Sequence, residues 1–367
     1  MSLDLVFAGD LVLDEPHPDH WLEGLAPVLR AADVAIGHLE VPHTRRGSEL
    51  RSDIPAPGAD PAHVPALARA GFHAVSLAGN HIADCGAVGI DDTIAALDAA
   101  GIAHSGAGAN LVAARAPCVL QRGSWQIALL SYNCVGPEES WATATRAGCA
   151  YVRVDTADGS RIAPAAPLVT ASETSLAQLA ADISRARGAR TLVIVALHKG
   201  IVHTPARLAP YERAIAHAAI EAGADIVLGH HAHIVRGIEI HRGKPIFHGL
   251  GNGCVVTRAL SPDSDDPARA AWAVRRQQLF GFTPDAAYHL APFHPQAVNA
   301  MLGRVRVNDD GSLETGFVTV HVDAPGRPRI ADDSEAIAIS RYVEEITATA
   351  GLPPITTRLD GACAWIR

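Results

Sequence analysis

The sequence predicts an α/β fold, in which buried β-strands alternate with amphipathic helices around one large core. Three observations carry that reading. Short apolar runs alternate with helix-period segments through the first two thirds of the chain. Several of those runs stop at a carboxylate, an amide or an imidazole, as strands do at the mouth of an open sheet. Hydrophobic residues make up 48% of the 367 and charged ones 19%, enough to bury a sizeable core.

In chain order, residues 5–8 read as a strand ending at Gly9-Asp10, and residues 20–32 as a helix. Residues 34–36 form a second strand ending at Gly37-His38-Leu39-Glu40, followed by a polar loop over 42–60 and a helix over 61–70. Residues 73–77 give a third strand, closed by Ala78-Gly79-Asn80-His81, and 91–100 a helix capped by Gly101. A strand over 125–132 precedes a Gly-, Pro- and Ala-rich stretch, 133–172, read as surface loops over a site. Helices over 175–187 and 205–222 bracket a strand at 191–197 that ends in His198. Residues 225–228 form a strand ending at Gly229-His230-His231-Ala232-His233, and 234–249 a hairpin. Beyond Asn252 the alternation weakens. Residues 255–300 read as an irregular segment capping the site, 305–322 as antiparallel strands and 332–350 as a helix. The organisation expected is one domain over 1–325 with a helical tail, 326–367, packed on it.

The net charge of −9 and the lack of a basic cluster argue against nucleic acid as a partner. Six scattered cysteines without a C-x-x-C pair predict reduced thiols rather than a zinc ribbon or disulfide framework. No signal-peptide pattern and no run of about 20 apolar residues is visible, so the expectation is a cytoplasmic protein without a membrane partner.

Asp10, Glu40, Asn80, His198, His231 and His233 are the candidate metal ligands. Strand C-termini converge on one crevice, so residues far apart in sequence meet there. Carboxylates, an amide oxygen and imidazoles form a mixed oxygen and nitrogen set suited to Mn, Zn or Fe. The period-two spacing of His231 and His233 puts both rings on one side of the chain, which favours His231 over His230. His81, Lys199 and the Pro-bracketed His294 are the candidate acid/base residues. Trp141 and Arg146 are candidate substrate contacts, and His38, His203 and His248 candidate partners that orient ligands.

Gly9-Asp10, Leu39-Glu40, Gly79-Asn80-His81, His198-Lys199-Gly200 and Gly229-His230-His231-Ala232-His233 resemble the ordered blocks of the CapA family. Supporting text includes Ala70-Gly71-Phe72, Asp84-Cys85-Gly86, Ala222-Gly223-Ala224-Asp225 and Gly243-Lys244-Pro245-Ile246-Phe247. That family is a branch of the calcineurin-like metallophosphoesterases, named for poly-γ-glutamate capsule synthesis. The resemblance implies a calcineurin-like metallophosphatase β-sandwich flanked by helices and two divalent metal ions, Mn favoured among Mn, Zn, Fe and Ca. By it, Asp10, Glu40 and His233 would hold one ion, and Glu40, Asn80, His198 and His231 the other, with Glu40 bridging and His81 as acid/base residue.

Four positions depart from the pattern. The usual D-x-H opening has Val12 in place of its histidine, the bridging carboxylate is Glu40 rather than Asp, Lys199 follows the fourth-block histidine where Trp is common, and Asn252-Gly253-Cys254 replaces Gly-Asn-Phe. The first ion is thus short of a ligand. The function implied is metal-dependent acid/base chemistry on a peptide-like or glutamyl small-molecule substrate: Cα epimerisation of a ribosomal, lasso-type peptide, or amide hydrolysis. Phosphomono- or phosphodiester hydrolysis and a non-catalytic, metal-bound role in a biosynthetic complex are the alternatives.

Overall fold

A computed structural model describes residues 2–50, 56, 58–261 and 266–367. Parts of two expected segments, 51–55 and 57 in the polar loop and 262–265 in the capping segment, lie outside the described residues. Two sheets form the centre of the fold. The first opens with parallel strands β1 (Leu3–Leu13), β2 (Val34–Leu39), β3 (Ala74–Ser76) and β4 (Ala103–Ser105). The second has the order β9-β10-β8-β7-β6-β5, from β5 (Cys118–Arg122), β6 (Trp125–Asn133), β7 (Thr191–His198), β8 (Ile226–His230), β9 (Ile238–His241) and β10 (Lys244–Phe247). Strands β6, β7, β8 and β10 run parallel, and β5 and β9 close the edges as antiparallel hairpins.

The chain then returns to the first sheet. Strand β11 (Asn252–Val256) pairs parallel with the second half of β1 and β12 (Asn299–Val307) antiparallel with its first half, both on the side away from β2. Outward from β12 lie β13 (Leu313–Asp323), its partner β14 (Arg327–Ile330), and the terminal strands β15 (Thr357–Asp360) and β16 (Cys363–Ile366). The residues past 326, expected as a helical tail, therefore also extend this sheet. Their helix, Asp333–Thr349, starts with Asp332 and Glu335 in a reciprocal cap and buries Ala336, Ile339, Val343 and Ile346.

Strand periodicity explains why the sheets face each other. Leu3, Leu5 and Phe7 of β1 and Leu192, Ile194 and Ala196 of β7 enter the same core cluster, the layer between the sheets. The alternate residues Val6, Ala8, Val193, Val195 and Leu197 pack into the cluster shared with the helices. The helices covering the strands include α1 (Gly86–Ala99), α2 (Glu173–Ala186) and α3 (Pro210–Ala222). The result is the α/β sandwich flanked by helices that the sequence led us to expect.

Three local expectations change. The helix expected over 20–32 is two short helices, Pro18–Leu22 and Ala26–Ala31. The break holds Gly24, where any Cβ would collide with the Pro328 carbonyl. The helix expected from residue 205 begins at Pro210, a residue suited to the first helical position. The stretch 133–172 is part packed core and part surface loop, with 143–146 and 157–161 exposed. It forms short ribbons at Gly148–Cys149, Val154–Thr156 and Leu168–Ala171, and buries Val135, Cys149, Val152 and Ile162. Trp141 lies in this core, stacked on Tyr151 at 4.1 Å, with Arg146 Nη2 donating to its carbonyl. All six cysteines are unpaired. Among the described residues no helix is long and apolar enough to cross a membrane.

His43 lies fully inside this fold, its backbone N–H donating to Thr93 Oγ1. Burial pushes its pKa down to about 4 from 6.5. The folded value lies below the unfolded one, so the unfolded chain takes up the proton first. Stability is full above about pH 6.5 and is lost as the pH falls towards 4, by about 3 kcal/mol at the limit. His43→Gln is expected to flatten the decline of melting temperature across that window, and a slope equal to wild type would contradict the account.

Candidate metal centre

The six candidate ligands come from both sheets. Glu40 follows the end of β2, Asn80 lies four residues past β3, His198 ends β7, and His231 and His233 follow β8. Asp10 differs from expectation. It lies inside β1, which continues to Leu13, and marks an irregularity in the pairing with both β2 and β11. Gly9 makes the irregularity possible, because a Cβ there would collide with the Gly251 carbonyl while Asp10 N–H donates to that same oxygen at 3.0 Å. The loop after β8 is equally shaped for position. His231 and His233 both adopt the left-handed backbone region, with φ of 87° and 52°. Non-glycine residues hold that region only under constraint from their surroundings, typically at functional sites.

The donor atoms converge. His198 Nε2 stands 2.6 Å from Asn80 Oδ1, 3.1 Å from His231 Nδ1 and 3.9 Å from Glu40 Oε1. On the other side of Glu40, His233 Nε2 lies 3.4 Å from Oε1, near enough for charge pairing but without hydrogen-bond alignment. Asp10 accepts the His231 backbone N–H, and its Oδ2 is 3.5 Å from His233 Nδ1. Asn252 Oδ1 meets that Nδ1 at 2.9 Å and so orients the ring. Two clusters result, Glu40 with His198 and His231, and Asp10 with Glu40 and His233, and Glu40 belongs to both. A third grouping of Asp10 and His198 involves His38, whose Nδ1 contacts Ser76 Oγ at 2.9 Å. His230 enters none of these groups, and His231 does.

The donors fit divalent cations. Both Glu40 carboxylate oxygens, which face the cluster, are buried without a hydrogen-bond partner, a costly state for polar atoms unless something else satisfies them. Burial and the Glu40 charge push the Asp10 carboxyl well above its usual range. Burial works against ionisation of Glu40 as well, but the surrounding His233, His81 and His38 rings hold it well below the usual range. Burial opposes protonation of His233, yet Glu40 and Asp10 lift it to about 9. Burial pushes His231 down to about 3 and, with neighbouring imidazoles, His198 well below its ordinary value. Neutral rings of that kind have their nitrogen lone pairs open to a metal.

A narrow cleft opens over this cluster. Glu40, Asn80, His81, His231 and His233 line its floor, and its walls are largely apolar: Val12, Val41, Val202, Val255, Phe280 and Phe293. The segment 255–300 supplies much of that wall, partly from helix α4 (Pro267–Phe280). His81 is held by Asp84, with Nδ1 2.8 Å from Oδ2. That pair is written in the sequence as His-x-x-Asp, and its spacing is the signal that would have marked Asp84. His203 also lines the cleft, its ring edge-on to Phe280 at 4.9 Å, and so does Arg276 over the Phe293 ring at 5.3 Å.

Two candidate acid/base residues are not brought into the cleft lining. Lys199 is fully buried and faces the other way, its Nζ 3.0 Å from Glu212 Oε2 and 3.3 Å from the His248 carbonyl. Arg236 Nη1 joins the same carboxylate at 3.2 Å. The reason is strand geometry: with His198 turned to the cleft, its neighbour must point to the opposite face. His294 lies beyond Phe293 and borders a separate hollow with Asn252, its Nδ1 accepting the Gln296 N–H at 3.1 Å. Lys199→Met is expected to cost about 3 kcal/mol in urea unfolding, by breaking a buried ion cluster, while leaving the metal content unchanged. Equal loss of metal would return Lys199 to the site.

The family described as "Bacterial capsule synthesis protein PGA_cap" matches residues 4–255. A protein of Mycobacterium tuberculosis named "Probable polyglutamine synthesis accessory protein" is 36% identical over 241 residues, covering 63% of this chain and 58% of its own length. The "Capsule biosynthesis protein CapA" of Bacillus anthracis is 26% identical over 237 residues, covering 64% of this chain and 53% of that one. The chain therefore spans little more than half the length of these relatives. Among solved structures, the NAD nucleotidase of Haemophilus influenzae superposes with a TM-score of 0.44 at 10% identity, over 93% of this chain and 63% of that one. The match to the family takes in the second sheet, strands β1 to β4 of the first and all six candidate ligands, and the chain belongs to the PGA_cap family of bacterial capsule synthesis proteins, the CapA family that its motifs resemble.

Proposed function

We infer that this chain is a metal-dependent enzyme performing acid/base chemistry on a peptide-like substrate at the cleft described above. The observation that supports it most is the pairing of an Asp84-held His81 with a buried donor cluster under largely apolar walls. Two divalent ions, shared through Glu40, would supply Lewis-acid polarisation of a substrate oxygen and neutralise the buried carboxylates. The ligands in this reading are Asp10, Glu40 and His233 for one ion and Glu40, Asn80, His198 and His231 for the other.

The remaining work falls to the protein's own groups. Asp84 fixes the His81 tautomer with the proton on Nδ1, so proton transfer runs through Nε2. The apolar walls seat a hydrocarbon side chain and exclude water, which strengthens electrostatic interactions on the floor. Arg276, whose Nε has no hydrogen-bond partner, meets a substrate carbonyl or carboxylate. His203 is the second imidazole of the cleft outside the proposed ligand set, and its Nδ1 is likewise unpartnered. In Cα epimerisation His81 would take the proton from one face and the second imidazole would return one to the other. In amide hydrolysis His81 would protonate the leaving nitrogen.

Val12 in place of the phosphoesterase histidine and the apolar cleft argue for a peptide-like substrate over a phosphate ester. The relatives named as capsule or polyglutamine synthesis proteins support a second reading, a metal-bound subunit of a polymer-synthesis complex. Protein loaded with Mn²⁺ and incubated in heavy water with peptides carrying apolar residues is expected to yield, by mass spectrometry, deuterium-labelled or cleaved product. His81→Ala should slow the reaction by about 100-fold, and Asp84→Asn should slow it less. Turnover of p-nitrophenyl phosphate with no change in any peptide would overturn this reading in favour of a phosphoesterase.

A further inference from the structure

We propose a second, independent metal site on the outer edge of the second sheet, built by His217, Glu239 and His241 and suited to Zn²⁺. The three residues come from two regular elements that hold them in register. His217 and Glu221 stand four apart on α3 and so share one helical face. Glu239 and His241 stand two apart on the edge strand β9 and share one strand face. Each element therefore presents an imidazole and a carboxylate to the other, and donor atoms of His217, Glu239 and His241 lie within 4.8 Å of one another.

The contacts suit a cation with mixed ligands. His217 Nε2 meets Glu239 Oε1 at 3.0 Å, and the two imidazole rings stack at 3.8 Å with planes 7° apart. Glu221 Oε1 lies 3.2 Å from His241 Nε2 and is the carboxylate placed to complete a four-ligand shell. Two imidazoles and two carboxylates are a zinc set rather than a calcium or magnesium one. Coordination requires one of the stacked rings to tilt, and the side chains are 25% and 21% exposed, which leaves them room. Two guanidiniums compete: Arg213 binds both Glu239 oxygens through Nε at 3.1 Å and Oε1 through Nη2 at 2.6 Å, and Arg242 Nη2 lies 3.3 Å from Glu221 Oε1, so the ion must displace or share those contacts.

The site is placed to act as a clip. It ties the edge strand β9 to α3, and the first turn of α3 carries Glu212, the partner of Lys199 beside His198. Glu239 Oε2 also meets His248 Nε2 at 3.1 Å, and His248 Nδ1 is 3.3 Å from Lys199 Nζ. Zinc here would fix the outer end of the cluster that backs the cleft strand.

The test is zinc content. Chelator-stripped full-length protein is equilibrated with Zn²⁺ and counted by elemental analysis. His217→Gln/His241→Gln is expected to lose one zinc per chain and its zinc-dependent rise in melting temperature, while Asp10→Asn/His231→Ala retains both. Equal zinc content in wild type and His217→Gln/His241→Gln overturns the proposal. Should that variant fail to fold, the single variant His241→Gln decides: loss of one bound Zn²⁺ per chain relative to wild type supports the site, and unchanged zinc content overturns it.

Discussion

A buried glutamate whose two oxygens lack hydrogen-bond partners is the constraint around which the rest of this molecule is organised. Isolated burial of a carboxylate costs several kcal/mol, and the usual relief is pairing or protonation. Glu40 has neither a hydrogen bond nor a raised pKa; it has three imidazoles and Asp10 around it. Such a set is suited to holding a cation. The strained His231 and His233 backbones and the glycine-enabled irregularity at Asp10 bring the donors together.

The two-sheet architecture makes that gathering possible. Parallel strands from each sheet run towards one edge, where the irregularity inside β1 and the turn after β8 bring Asp10 and His233, more than two hundred positions apart, within 3.5 Å. The irregular segment after β11 contributes apolar walls rather than ligands, so the cleft pairs a highly polar floor with a greasy side. Behind the floor, Lys199, Glu212 and Arg236 hold the start of α3 against β7. The floor and its backing thus use adjacent residues of one strand, His198 and Lys199, on opposite faces.

Much of this was legible in the sequence, because the strongest signals were local. Apolar runs ending in Asp, Glu, Asn-His, His and His-x-His announced both the strands and the crevice. The position of Lys199 outside the cleft lining follows from the period-two rule carried one residue further. Applied to His231 and His233 it selected the two rings that lie in the donor clusters; applied to His198 it turns Lys199 away from the cleft. The role of Asp84 was hidden because it depends on a turn geometry after Asn80, and the cleft positions of His203 and Arg276 depend on how distant loops fold over the sheets. Trp141 was read as a loop residue because its surroundings are rich in Gly and Ala, yet those small residues let the segment pack tightly.

The claim on which all else rests is that Glu40 joins His198, Asn80 and His231 on one side and Asp10 and His233 on the other around divalent cations. Anomalous diffraction from crystals grown with Mn²⁺ tests it directly. The account predicts anomalous density within about 2.0–2.2 Å of a Glu40 oxygen and of the His231 and His198 nitrogens that face it. A crystal soaked in excess metal that shows no such density, with Glu40 hydrogen-bonded to the histidines instead, would contradict it.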